Sequence, residues 1–324
     1  MPATPFDRSP AAHVPAREHL VDARGVVLSG LLAEPPGHAE PRALIVAVHG
    51  AGVHAGYFHA SAAPGLSLLE LGSRAGYTVW APDRPGIGAS AGLPNERIAL
   101  APQAGILLDA LDAFAATRSV GGGVLLVGHS YGLKVAWNMA ARARDVPLLG
   151  VDGSGSGIRY AFDWSPDGPP AVPRREPGDR GPAWGPADLY PPGTFSRAAL
   201  PLYTARTLQR SEGGRWPDDF RAFAADIRVP LRLTFAEHEP FWPTDDAHVA
   251  ELRTALVNAP TLRVEREPGA GHNISLGWVA AEYHQKVLEF ASSCLDGQET
   301  GAAARPWLPN QPRRPSSGRS TSSP

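Results

Sequence analysis

The stretch Gly123-Val-Leu-Leu-Val-Gly128-His129-Ser130-Tyr131-Gly132, followed at once by Leu133-Lys-Val-Ala-Trp-Asn-Met-Ala-Ala-Arg142, narrows the folds open to this chain more than any other. The Val- and Leu-rich run reads as a buried strand and the Ala-rich run as a helix, which leaves Ser130 in the turn between them. Gly128 and Gly132 flank it in the spacing G-x-S-x-G. So sharp a turn strains its central residue, and only small neighbours let strand and helix come close enough to hold the hydroxyl outward. The helix N-terminus beneath it offers unpaired N–H groups to a developing negative charge.

Strand and helix alternate around this turn. Glu18–Arg24 and Val26–Ala33 read as two strands joined at Gly25, and Pro35, Pro36 and Gly37 end the second. Ala43–His49 is apolar on both faces, as an interior parallel strand must be. It stops at His49-Gly50-Ala51-Gly52, a loop that can bring backbone amides close to a ligand. Leu66, Leu68, Leu69 and Leu71 have helical spacing, Tyr77–Asp83 is a further strand, and a helix over 96–117 is expected to bend at Pro102. Val146–Asp152 closes this half. The pattern predicts a mostly parallel sheet with helices on both faces.

From 153 to 226 the alternation fails and Gly, Pro and aromatics crowd in, among them Trp164, Trp184, Tyr190, Phe195, Tyr203, Trp216, Phe220 and Phe223. A structureless loop of that length does not suit a compact domain, so the expectation is an inserted cap with helices near 197–210 and 217–228. Most of its aromatics should pack the cap onto the body, and some should line a pocket. The core resumes over 227–294 with strands at 230–237 and 261–265 and helices at 246–257 and 278–292. Residues 1–17 read as a flexible leader and 295–324, rich in Pro, Ser, Gly and Arg, as a disordered tail.

Composition excludes several classes. At 324 residues and 43% hydrophobic the chain can bury a large core, and its net charge of −2 favours neither nucleic acid nor an acidic membrane surface. A single cysteine, Cys294, forbids an intramolecular disulfide. The leader lacks the apolar core of a signal peptide and no run approaches a membrane span, so a cytoplasmic location is expected. Only Lys134 and Lys286 are lysines. No CxxC pair, H-E-x-x-H or carboxylate cluster points to a metal, and no cofactor is expected. The Arg84-Pro-Gly-Ile-Gly turn lacks the rest of a dinucleotide fingerprint.

A serine hydroxyl is a poor nucleophile at neutral pH and needs a base, which in turn needs an orienting acid. His272 is the expected base, because Pro268-Gly-Ala-Gly-His272-Asn places it in a glycine-rich loop straight after the last strand. His49 and His129 read as structural, turned away from Ser130. The acid should end a strand between Ser130 and His272. Glu239 is favoured because it sits further into its loop, with Glu237 and Asp152 as alternatives; Asp83 precedes the serine and reads as a loop-stabilising carboxylate. The amides of Ala51 and Tyr131 are the expected oxyanion donors.

The His49-Gly50 loop, the Asp83–Ser90 turn, Gly128-His-Ser-Tyr-Gly132, Glu237-His-Glu239-Pro and Gly271-His272 together make a chain that resembles the α/β-hydrolase superfamily over about 18–294. The resemblance implies that fold and a serine hydrolase acting on an ester or thioester of a moderately large, partly apolar small-molecule acyl substrate, free or carrier-bound. Acyl transfer, lyase or C–C bond chemistry on the same triad is the alternative, and a catalytically silent binding protein the remoter one. The family most often carries aspartate where this chain has Glu239, so the extra methylene requires a loop set further back.

Overall fold

A computed structural model describes residues 15–143, 145–164, 183–196 and 212–299. The strands are β1 (Arg17–Glu18), β2 (Val21–Asp22), β3 (Val27–Leu28), β4 (Gly30–Ala33), β5 (Leu44–Val48), β6 (Thr78–Pro82), β7 (Val124–His129), β8 (Leu148–Ser154), β9 (Leu231–His238) and β10 (Leu262–Gly271). Eight of them form one sheet in the order β1-β4-β6-β5-β7-β8-β9-β10. From β6 to β10 every pairing is parallel, and β4 joins β6 and β1 antiparallel. β2 and β3 make the small hairpin expected at Gly25, where Arg24 and Gly25 take φ of 51° and 86°.

Alternation along the strands divides the core in two. Leu44, Val46 and Val48 of β5 and Leu126 of β7 pack on one face under α2 (Leu100–Ala115) and α3 (Tyr131–Arg142). Ile45, Ala47, Leu125 and Val127 point to the other face, against α1 (Leu68–Arg74) and α6 (Ala280–Glu299). Side chains of successive strand residues leave opposite faces, so a continuous apolar run is what a doubly covered parallel strand requires. The chain has the expected α/β architecture, with β7 near the middle of the sheet.

Several boundaries differ from the sequence reading. Asn95–Arg97 is a separate 3-10 turn and α2 begins only at Leu100, which puts Pro102 in its first turn. There its missing N–H would have had no intrahelical acceptor, so the proline fits without breaking the helix. β10 continues to Gly271 rather than stopping at 265, through a register shift between Glu267 and Gly271. α6 continues to Glu299, past the expected end of the ordered chain at 294, because Cys294 is buried in the core and Leu295 packs against it. Residues 1–14 and 300–324, and the helix expected at 197–210 with Tyr203, lie outside the described residues.

The segment between β8 and β9 is described in three pieces. Its helix α4 (Trp216–Ala224) packs on α3, with Trp216 stacked 6.1 Å from Trp137 and Phe220 tilted against the same ring at 4.9 Å. Trp184, Tyr190 and Phe195 pack mutually edge-on and cover the end of β10. Helix α5 (Asp246–Ala255) follows β9, its N-terminus capped by Asp245.

Candidate active site

Ser130 has φ 52° and ψ −121°, one of two non-glycine residues with positive φ among those described. The cause is visible in its flanking glycines. A Cβ on Gly128 would stand 2.5 Å from Cα of Leu133, and one on Gly132 would stand 2.1 Å from the carbonyl oxygen of Val48. Backbone meets backbone at both places, so only glycine lets α3 dock on β5 and β7 this closely. The strand before the turn is wholly buried, whereas Ser130 itself is partly exposed and is pinned by its N–H to the carbonyl of Ser154 at 2.8 Å.

His272 is the first residue beyond β10. Its Nδ1–H donates to Glu239, with Oε2 at 2.9 Å and Oε1 at 3.1 Å, and both side chains are almost fully buried. The carboxylate also accepts from Phe241 N at 3.1 Å, so the turn after β9 fixes the acid before it meets the imidazole. That bond selects the tautomer whose Nε2 is free to accept a proton. The ring lies 4.8 Å from the ring of His129, the neighbour of Ser130, which brings the imidazole of His272 to the serine turn.

The two alternative acids face elsewhere. Glu237 accepts from Gly269 N at 2.7 Å and so holds the irregular part of β10 that leads into His272. Asp152 is buried, accepts from Arg232 at 2.7 Å and lies 3.4 Å from the Tyr283 hydroxyl, while Arg232 also reaches Glu265. Burial pushes the Asp152 carboxyl up to about 6 against the opposing pull of Arg232. Neither is bonded to His272. Glu239 is the carboxylate in contact with the imidazole, one residue beyond the end of β9, where its longer side chain spans the gap from the loop.

His49 and His129 are buried and hydrogen-bonded within the protein. His49 Nδ1–H donates to the carbonyl of Gly50 and its Nε2 accepts from Arg84 N. His129 shares a hydrogen bond with Ser154 Oγ and stacks on Tyr57 at 4.4 Å. Burial holds both imidazoles well below the ordinary range, so they are neutral. Asp83 accepts from Ala55 N and from Ser29 Oγ and ties two loops together. Ala51 is exposed at the tip of its loop, and Tyr131 is the first residue of α3, whose amide precedes any intrahelical acceptor.

Three residues were not singled out from the sequence. Arg84, fully buried, donates to the carbonyls of His49 and Gly50 and to Gln103. Glu212 accepts from Leu100 N at 2.9 Å and from the Tyr131 hydroxyl at 2.6 Å. Lys134 donates to the Tyr160 hydroxyl at 2.6 Å and lies 4.5 to 5.0 Å from the ring centres of Trp216, Tyr160 and Trp242; burial pulls its ammonium down to about 7. A lone lysine inside the apolar run of α3 was the available signal for the last. A line of partly buried rings, Phe241, Phe162, Trp164 and Tyr160, leads from the edge of His272 to that lysine.

A family model described as "Alpha/beta hydrolase family" matches residues 45–289. No curated protein matches the chain. Among solved structures the chain is similar to a highly thermostable carboxyl esterase from Bacillus coagulans, with TM-score 0.61 and 15% identity over 88% of this chain and 100% of that one. It is also similar to an epoxide hydrolase from Vigna radiata, with TM-score 0.59 and 16% identity over 88% and 100%. A serine hydrolase involved in carbazole degradation gives TM-score 0.57 and 16% identity over 86% and 100%. Identities this low speak for the fold alone. The family match, which spans most of the sheet and includes Ser130, Glu239 and His272, places the chain in the α/β-hydrolase family.

Proposed function

We propose that the protein is a serine hydrolase that cleaves an ester or thioester of a moderately large, partly apolar acyl substrate through an acyl-enzyme on Ser130. The observation that carries the reading is the Glu239–His272 hydrogen bond at 2.9 Å at the same end of the sheet as a strained, partly exposed serine. Ser130 Oγ attacks the acyl carbonyl carbon while His272 Nε2 takes its proton and Glu239 stabilises the imidazolium. The amides of Ala51 and Tyr131 meet the oxyanion. As the tetrahedral intermediate collapses, the C–O or C–S bond breaks and His272 returns the proton to the leaving group. Water, deprotonated by the same histidine, then releases the acid and the free serine.

In this reading residues 153–226 form a cap over the site, and the half-buried rings from Phe241 to Tyr160 receive the acyl group. The test is a series of p-nitrophenyl esters and thioesters of increasing chain length, with products identified in the presence of added alcohol, amine or thiol. Hydrolysis with a preference for longer or aromatic acyl groups is expected, and Ser130 should carry the acyl mass. Turnover without any mass on Ser130 overturns the mechanism. Products formed mainly on the added acceptor would make the enzyme an acyltransferase.

A further inference from the structure

We propose that Arg84 is a positioning residue that aims both oxyanion-binding amides, Ala51 and Tyr131, from the buried side of the sheet end. The inference rests on the reading of Ser130 as nucleophile. Its first part is a matter of peptide geometry. The Gly50 carbonyl oxygen accepts from Arg84 Nη2 at 3.1 Å and from His49 Nδ1 at 2.9 Å, and the preceding His49 carbonyl accepts from Arg84 Nε at 2.9 Å. In a planar trans peptide the carbonyl of Gly50 and the N–H of Ala51 point in opposite directions. Holding the oxygen inward therefore turns the Ala51 N–H outward, toward the side on which Ser130 lies. Gly50 is close enough to the serine that a Cβ there would stand 3.2 Å from Ser130 Cβ.

The second part concerns Tyr131. The guanidinium carbon lies 4.7 Å above the Tyr131 ring, and Nη1 donates at 2.7 Å to Gln103, whose amide is 3.4 Å from the Tyr131 hydroxyl. That hydroxyl donates in turn to Glu212. One cation thus holds the carbonyl end of the peptide that carries the Ala51 amide and stacks on the Tyr131 ring, and its charge polarises the Gly50–Ala51 peptide so that the N–H is a stronger donor. The planar fork makes three side-chain bonds to three separate acceptors, which a lysine ammonium cannot span. Although burial draws the Arg84 guanidinium down to about 10, it stays charged at neutral pH.

The experiment compares wild type with Arg84→Lys, Arg84→Met and Gln103→Leu, each checked for folding by circular dichroism and thermal melting. Steady-state kinetics on a p-nitrophenyl ester are paired with inhibition by a trifluoromethyl ketone, which forms an oxyanion on the enzyme, and by the matching methyl ketone, a weak hemiketal former. Arg84→Lys is expected to lose about 100-fold in kcat with KM within about threefold, the size of one lost oxyanion donor. Affinity for the trifluoromethyl ketone should fall in step, with the methyl ketone unchanged. A folded Arg84 variant with kcat within about threefold of wild type, or a loss carried by KM alone, overturns the role. Should neither Arg84 variant fold, Gln103→Leu decides, with about a tenfold loss in kcat expected and unchanged kcat overturning it. Ser130→Ala, run in parallel, separates the readings. An active Ser130→Ala removes the serine mechanism and this role with it, whereas an inert Ser130→Ala beside a wild-type-like Arg84→Lys removes the role of Arg84 alone.

Discussion

Glu239 meets His272 Nδ1 with both carboxylate oxygens, at 2.9 and 3.1 Å, from a position one residue past the end of its strand. Replacing it with glutamine keeps the size, removes the charge and allows the amide to select the wrong tautomer. The loss in kcat/KM should reach about four decades. Glu237→Gln should cost far less. Asp152→Asn should act on stability, since it removes the buried one of the two carboxylates that Arg232 reaches and leaves only Glu265, a change of about 1–3 kcal/mol. An Asp152→Asn protein that is fully stable but inactive, beside an active Glu239→Gln, would move the acid to β8.

Ser130→Ala should keep the fold and lose about three or more decades of turnover. Ser130→Gly adds a second reading. A φ of 52° costs a side-chain-bearing residue about 1–3 kcal/mol, so the glycine variant should be inactive and yet melt above Ser130→Ala. Equal melting temperatures would show that the turn stores no strain.

Gly132→Ala places a methyl group 2.1 Å from the Val48 carbonyl oxygen, where neither backbone can retreat without separating α3 from β5. Destabilisation of about 3 kcal/mol or more is expected in denaturant titration. Gly50→Ala is a milder case, because its contacts at 3.0 to 3.3 Å fall on His129 and Ser130. It should lower kcat more than stability; a fully active Gly50→Ala would mean that the loop yields freely.

His284 packs under the turn that follows His272 and shares a hydrogen bond with Ser275 at 3.0 Å. Burial draws it down to about 3, against an ordinary value near 6.5. The unfolded chain therefore binds a proton that the native state refuses. Its contribution is complete above about pH 6.5 and is lost as pH falls toward about 3, with a slope of up to about 1.4 kcal/mol per unit. Between about pH 7 and 5 the wild type should lose up to about 2 kcal/mol more than His284→Gln in urea titrations. Parallel losses would assign the slope to other groups, of which buried His49 and His129 act with the same sign.

The residues legible in the sequence are those whose placement is written in backbone chemistry. Gly128 and Gly132 announce close approach, an unbroken apolar run announces β7, and a glycine-rich loop after a late strand announces His272. Glu239 could be favoured over Glu237 by one further step into the loop, and the hydrogen bond at 2.9 Å lies on that side. Arg84 was passed over because nothing in a Pro-Gly turn tells which way a preceding side chain points, and its partners are backbone carbonyls 34 and 35 residues earlier in the chain. The length of β10 was hidden by Pro268 and Gly269, which read as a loop but sit in a strand irregularity that Glu237 braces. At the end of α6, Asp296 and Gly297 obscured a helix whose register is set by Cys294 and Leu295.

The chain holds two lysines, and the fold treats them oppositely. Lys286 stands on the surface beside Glu267 with 32% of its side chain exposed. Lys134 is 6% exposed and enclosed by Tyr160, Trp216 and Trp242. An amine-reactive reagent mixed with native protein therefore tags one of them at once and reaches the other only when α4, the start of the long insertion and the turn after β9 lift from α3. The mass of a single peptide then serves as a stopwatch for that opening, and its slow labelling rate reads the free energy of local unfolding beside the serine without any introduced probe.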